Sequence, residues 1–186
     1  MPQSRRAFIK AGIAVTFRYA LRRCLPAAAA LAFVALAIPP ARADALSRGA
    51  AAFDRGDYVR AAQDLAPLAE RGNARALGLL GFMYEHGFGV PQGYDAAFEF
   101  YCRAAVQGNP FAQAQLGLMY DKGHGTHQDF IQAYKWLDLA AARSRGRDRD
   151  AFARFRDAVA SKMSRDEIIV GQRLAVSWVP GIPIQP

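Results

Sequence analysis

Cysteine is nearly absent from this 186-residue chain: only Cys24 and Cys102 occur. That excludes a disulfide-dense scaffold and a cysteine-rich zinc fold. Histidine is scarce too, at His86, His124 and His127. The last two have the spacing of some metal pairs, but no third ligand stands close in sequence, so no metal site is expected. Sustained alternation of apolar and polar residues is missing, which argues against β-strands. No Gly-rich phosphate loop follows a strand pattern; Gly87-x-Gly89 follows a helical one. The apolar run at residues 25–38 is 14 residues long, too short to span a bilayer comfortably. These absences leave no cofactor to expect and no catalytic constellation. Cys102 has no adjacent base or oxyanion donor in sequence to make it a nucleophile.

Acidic residues are absent from one end only. Residues 1–43 hold seven Lys/Arg and no Asp/Glu, which leaves 17 basic and 16 acidic residues for the rest. The formal charge of +8 therefore belongs to the N-terminus. The nearly neutral body carries no general field for nucleic acid, and none is expected as a partner.

The basic N-terminus reads as an export signal over residues 1–43. Basic residues precede the apolar run, Pro39 and Pro40 follow it, and Ala41-Arg42-Ala43 fits a small-x-small cleavage pattern. Cleavage after Ala43 leaves no stable membrane insertion and a periplasmic or secreted chain. Ser4-Arg5-Arg6-Ala7-Phe8-Ile9-Lys10 resembles the twin-arginine export motif, but its own apolar stretch is short and interrupted by arginines. The general secretory route, from a start near Val15, is the expectation, with the twin-arginine route as alternative.

What is abundant is internal repetition. Gly81, Met83, Tyr84, Gly87 and Gly89 return 36 residues later as Gly117, Met119, Tyr120, Gly123 and Gly125. Residues 73–108 and 109–144 share 12 identities without gaps, where unrelated segments share roughly two or three. A fixed period of this length means stacked helical units rather than one closed core. Helix pairs are expected at 45–55 and 58–71, 74–86 and 94–107, 110–122 and 130–143, and 149–162 and 165–179. Gly81 and Gly117 fall inside helices. Close approach of a partner helix carrying Ala97, Ala104 and Ala105, or Ala133, Ala140 and Ala141, would explain them, with Tyr84 and Tyr120 filling the adjoining groove. Gly87 and Gly123 suit left-handed helix ends. Tyr94 and Phe130 are expected to anchor the start of each second helix. Residues 144–150 read as a charged, solvated linker, in preference to a run from Arg143 to Asp150 that holds an acidic partner, and Ser164 to Glu167 as a capping box.

These residues resemble the Sel1-like repeat family, a relative of tetratricopeptide repeats. The resemblance rests on Ala76-x3-Leu80-Gly81-x-Met83-Tyr84-x2-Gly87-x-Gly89-Val90 with Ala97-x6-Ala104-Ala105-x2-Gly108, and on the second copy from Ala112 to Gly125 with Ala133, Trp136, Ala140 and Ala141. The second copy departs at Thr126 and Ser144. The implied fold is all-α: an α–α superhelix of such helix pairs with a C-terminal capping pair. The implied divisions are a degenerate first repeat at 44–72, repeats at 73–108 and 109–144, and capping helices with a Pro-rich tail at 145–186. The implied function is non-enzymatic: binding of a protein or peptide, as adaptor or regulator in the bacterial envelope. A cell-wall or glycan-associated accessory binder is the alternative. By analogy with other helical superhelices, first helices line the binding surface. Their variable positions are the candidate partner-binding residues: Arg75, Leu79, Phe82, Glu85 and His86, and their equivalents Phe111, Gln115, Leu118, Asp121 and Lys122. Phe82 and Leu118 occupy one position in both copies and would form an apolar strip.

Overall fold

A computed structural model describes residues 40–181, with side chains from Ala45 onward. Among the described residues every element is a helix: α1 (Pro40–Asp54), α2 (Tyr58–Glu70), α3 (Ala74–His86), α4 (Tyr94–Ala105), α5 (Pro110–Lys122), α6 (Phe130–Arg143), α7 (Gly146–Ala160) and α8 (Arg165–Val176). The described residues from 43 onward form one compact unit, an α–α solenoid in which each helix packs on the next from α2 to α7. The export-signal reading lies outside the described residues, apart from the first turn of α1.

Helix ends are specified residue by residue. An α-helix leaves its first N–H groups without partners, and a short polar side chain satisfies one of them. Asn73 accepts from Ala76 N–H at 3.0 Å, and Asn109 from Ala112 N–H at 3.0 Å. Asp57 and Asp129 do the same for α2 and α6. At the other end, α3 and α5 stop at Gly87 and Gly123, both left-handed with φ 71°, a conformation that favours glycine. The loops then close identically. Gln92 Nε2 donates to the Glu85 carbonyl at 2.9 Å, and Gln128 Nε2 to the Asp121 carbonyl at 2.7 Å.

Within each helix pair, a glycine on the first helix receives a large side chain from the second. A Cβ added at Gly81 would lie 2.7 Å from the Tyr101 ring, and at Gly117 2.7 Å from Leu137 Cγ. Gly49 stands in the same relation to Leu65, at 2.8 Å, so α1–α2 follows the scheme of the two later pairs despite its shorter loop. This corrects the expected packing. The glycines do make room for a neighbouring helix, but what fills the room is Leu65, Tyr101 and Leu137, not an alanine surface with Tyr84 and Tyr120. Tyr84 stacks on Phe100 with centroids 5.3 Å apart, and Tyr120 meets Phe98 edge-on at 5.4 Å. The alanines are buried beside these contacts.

Between pairs, a second glycine is pressed against the preceding unit. A Cβ at Gly89 would come within 2.5 Å of the Tyr58 carbonyl carbon, and one at Gly125 would collide with the Tyr94 carbonyl oxygen. The aromatics at the start of second helices complete this joint: Tyr58 stacks on Phe88 at 4.6 Å, and Tyr94 meets the tilted ring of His124 at 4.4 Å. They therefore hold the next repeat's loop as well as starting their own helix. Phe130 occupies the third such position and faces Lys162 Nζ at 5.5 Å. Asn109 adds a polar tie, donating from Nδ2 to the Ala74 carbonyl at 3.2 Å.

Both capping helices rest on α6. Gly171 of α8 lies against Tyr134, where a Cβ would be 2.9 Å from the ring. The capping box forms, with Ser164 N–H donating to Glu167 at 2.7 Å and Glu167 N–H donating to Ser164 Oγ at 3.3 Å. Two expectations are corrected. Residues 146–150, read as linker, are the first turns of α7; their alternating charges suit a solvated helix as well as a loop. The last helix ends at Val176 rather than 179. Beyond it Trp178 packs edge-on against Trp136 at 6.0 Å, and Gly181 N–H donates to the Val106 carbonyl at 2.7 Å.

Gly→Ala changes separate these roles by sign. Gly117→Ala should lower stability by about 1–3 kcal/mol, because the new methyl meets Leu137 and, at 3.0 Å, the backbone oxygen of Ala133. Gly78→Ala, also in a helix interior but with no neighbour nearer than 3.5 Å, should raise it by up to about 1 kcal/mol. Urea denaturation of the two variants reads both signs.

Candidate partner-binding face

Aromatic side chains collect on the face made by the first helices. Phe82 of α3 sits among the rings of Phe53 at 5.7 Å, His86 at 4.1 Å, Phe88 at 5.9 Å and Phe111 at 6.1 Å. His86 is further fixed by its Nδ1, 3.0 Å from the Phe82 carbonyl. Burial by these neighbours makes Phe82 part of the packing that joins α1, α3 and α5. Leu118, its equivalent, is half-buried against the second core cluster, around Leu137 and Tyr134. Phe82 and Leu118, expected to form one apolar strip, are both half-buried packing residues.

Two acidic candidates are engaged within the chain. Glu85 accepts from Tyr101 Oη at 2.9 Å. Burial first, and the Glu85 charge second, push the Tyr101 hydroxyl far above the usual phenol range, so it stays a neutral donor. Gln115 faces the same Tyr101 hydroxyl and offsets a part of that rise. Asp121 holds Lys162 of the capping segment at 2.7 Å, which ties α5 to the end of the solenoid. Lys122 remains exposed in the last turn of α5, where a cation complements the helix dipole.

The other three candidates come together in a groove. Arg75, Leu79 and Phe111 form one wall, with Asn109 and Pro110 beside them. Arg143, Ser144, Arg145, Asp148 and Phe152 form the other, around a volume of about 660 Å³. Phe111 is 39% exposed although it is a large apolar residue. The second wall was missed by sequence reasoning, which placed residues 144–150 in a solvated linker. The helix expected at 149–162 already carried Phe152 and Val159, which turn inward, but Phe155 between them is 42% exposed, and nothing in the spacing marked the preceding residues as a wall. A smaller groove of about 390 Å³ lies between α6 and α7 and includes the Arg156–Asp138 ion pair at 2.8 Å.

No nucleophile is activated at either place. Burial, and next the nearby Glu99 charge, push the Cys102 thiol from an ordinary 9.0 up to about 12. Among the described residues no group of three His, Cys, Asp or Glu side chains is placed to hold a metal ion, and the tilted ring of His124 meets Tyr94. No described helix is long and apolar enough to cross a membrane.

Residues 74–109 and 110–144 match the family described as Sel1 repeat. Two consecutive segments of the chain are therefore similar to the Sel1 repeat. Solved structures of such proteins share the fold. One is a protective antigen of uropathogenic Escherichia coli displaying an SLR fold, with TM-score 0.66 and 26% identity over 72% of this chain. Another is a Sel1 repeat protein from Oxalobacter formigenes, with TM-score 0.57 and 25% identity over 72% of this chain. The chain spans 29% and 56% of the lengths of those two proteins. No curated protein matches the sequence. Sel1 repeats are a scaffold type that mediates protein interactions rather than catalysis.

The raised thiol pKa has a measurable sign. The unfolded chain releases the Cys102 proton near pH 9 and the folded chain only near 12. Its contribution to stability is therefore complete below about pH 9 and is lost as pH rises from 9 toward 12. At pH 8 the folded protein should hold about a thousandfold less thiolate than the urea-unfolded chain. Iodoacetamide labelling of Cys102, compared between the two states, should be slower in the folded state by a large factor. Equal rates would overturn this account of the site.

Proposed function

We propose that this chain is an exported, non-enzymatic adaptor or regulator in the bacterial envelope, and that it captures a protein partner on the face made by α3, α5 and α7. The observation that carries the reading is the groove where Arg75, Leu79 and Phe111 meet Arg143, Arg145 and Phe152. The Sel1 repeats supply the scaffold, and the first wall of the groove includes positions at which the repeats differ. Arg75 stands where the second copy has Phe111, and Leu79 where it has Gln115. Residues that build the stack must recur, whereas residues that recognise one partner need not. The basic, apolar N-terminus supports export across the inner membrane, which puts the partner in the periplasm or beyond.

Site-specific photo-crosslinking tests the reading in the native envelope. A photoreactive residue at Leu79 or Phe111 should give discrete adducts with another protein. The same residue at Val59, on the outer side of α2 and 58% exposed, should give none. Adducts at Val59 alone, or retention of the purified chain on bare sacculi without any protein adduct, would overturn it. The second outcome would indicate a glycan binder.

A further inference from the structure

The charges around the groove are unbalanced, and the imbalance is local. Arg75, Arg143 and Arg145 surround it with Asp148 as the one opposing carboxylate. Two cations that fasten the capping region are, by contrast, paired within the chain. Arg156 meets Asp138 at 2.8 Å and Asp157 at 2.9 Å, and Lys162 meets Asp121 at 2.7 Å. Among the described residues no hydrogen bond or ion pair engages the side chains of Arg75 or Arg145. Arg143 lies with Cζ 4.4 Å over the Trp178 ring. Stacking on its flat face fixes a guanidinium while leaving its N–H edge free for a carboxylate. Asp148 stands in the first turn of α7, where the helix dipole already stabilises its charge.

Between these cations the groove is apolar. Leu79 and Phe152 are half-buried and Phe111 more exposed. A ligand that fits must set an apolar group on Phe111 and carboxylates to either side. We infer that the groove binds an acidic peptide segment of the partner protein, with an aliphatic or aromatic side chain seated between Leu79, Phe111 and Phe152 and flanking Asp or Glu residues on Arg75, Arg143 and Arg145. A nucleic acid would require a positive field extending along many phosphates, whereas the body outside residues 1–43 is close to neutral. This inference rests on the protein-interaction reading above and names the chemistry of what is bound.

Fluorescence anisotropy with the purified full chain tests it. The probe is a short labelled peptide alternating glutamate with leucine; the controls are its lysine counterpart and a single-stranded oligonucleotide. The acidic peptide should bind more tightly than either control, and more weakly as salt rises. The double variant Arg75→Glu/Arg145→Glu should weaken it by about tenfold or more and shift preference to the lysine peptide. Phe111→Ala should weaken the acidic peptide without reversing preference. Arg60→Glu, on α2 away from the groove, should leave binding within about twofold, as for a distant rim charge. All of these side chains are exposed, and thermal melts confirm that the variants fold. Equal binding of acidic and lysine peptides, tighter binding of the oligonucleotide, or indifference to charge reversal would overturn the inference. If that happens while crosslinks at Leu79 and Phe111 persist, the adaptor reading stands and only the acidic chemistry falls. If the crosslinks vanish as well, both fall.

Discussion

The structure depends on close approaches for which only glycine leaves room, used in two ways. Inside each helix pair, Gly49, Gly81 and Gly117 receive Leu65, Tyr101 and Leu137. Between pairs, Gly89 and Gly125 lie on the first turns of α2 and α4, with Tyr58 on Phe88 and Tyr94 on His124 beside them. The first contact sets the spacing within a unit and the second sets the spacing between units. A solenoid has no other long-range constraint, because each unit touches only its neighbours. Errors at either contact would accumulate along the stack and displace the groove walls.

The groove is where the stack meets its cap. Its first wall comes from α3 and α5, its second from the end of α6 and from α7. Asp121 with Lys162, and Arg156 with Asp138, fasten that second wall to the repeats. The cap thus covers the last repeat and also supplies one wall of the groove. Arg156 and Lys162, which fasten the cap, are paired, whereas Arg75 and Arg145, which line the groove, make no ion pair among the described residues.

The fold was legible because its determinants are short and repeated. The matched Gly, Met and Tyr positions gave the period. The aligned Gln92 and Gln128 belong to loops that close by the same side-chain bond. The partners of the glycines were not legible, since Tyr101 and Leu137 differ in type and only geometry shows that they fill one role. Half of the candidate groove was legible. Arg75, Leu79 and Phe111 emerged from the differences between copies, whereas Arg145 and Phe152 belong to no repeat and had no second copy to be compared with, and Arg143, aligned with Gln107, lies on a second helix rather than a first. Phe82, Glu85 and Asp121 were variable for a different reason: each satisfies a contact particular to its own position in the stack. One core position departs from the pattern. Gln113 is fully buried where Leu77 stands a repeat earlier; its Nε2 donates to the Ala105 carbonyl at 3.1 Å, while Oε1 has no partner.

The division between a recurring scaffold and a single recognition groove is the central claim, and hydrogen exchange read by mass spectrometry tests it most directly. The full chain is compared with and without the glutamate–leucine peptide. The account predicts slower exchange in 75–79, 109–115 and 143–152, with 94–103 on α4 unchanged. Protection spread evenly along the helices, or confined to 94–103, would contradict it.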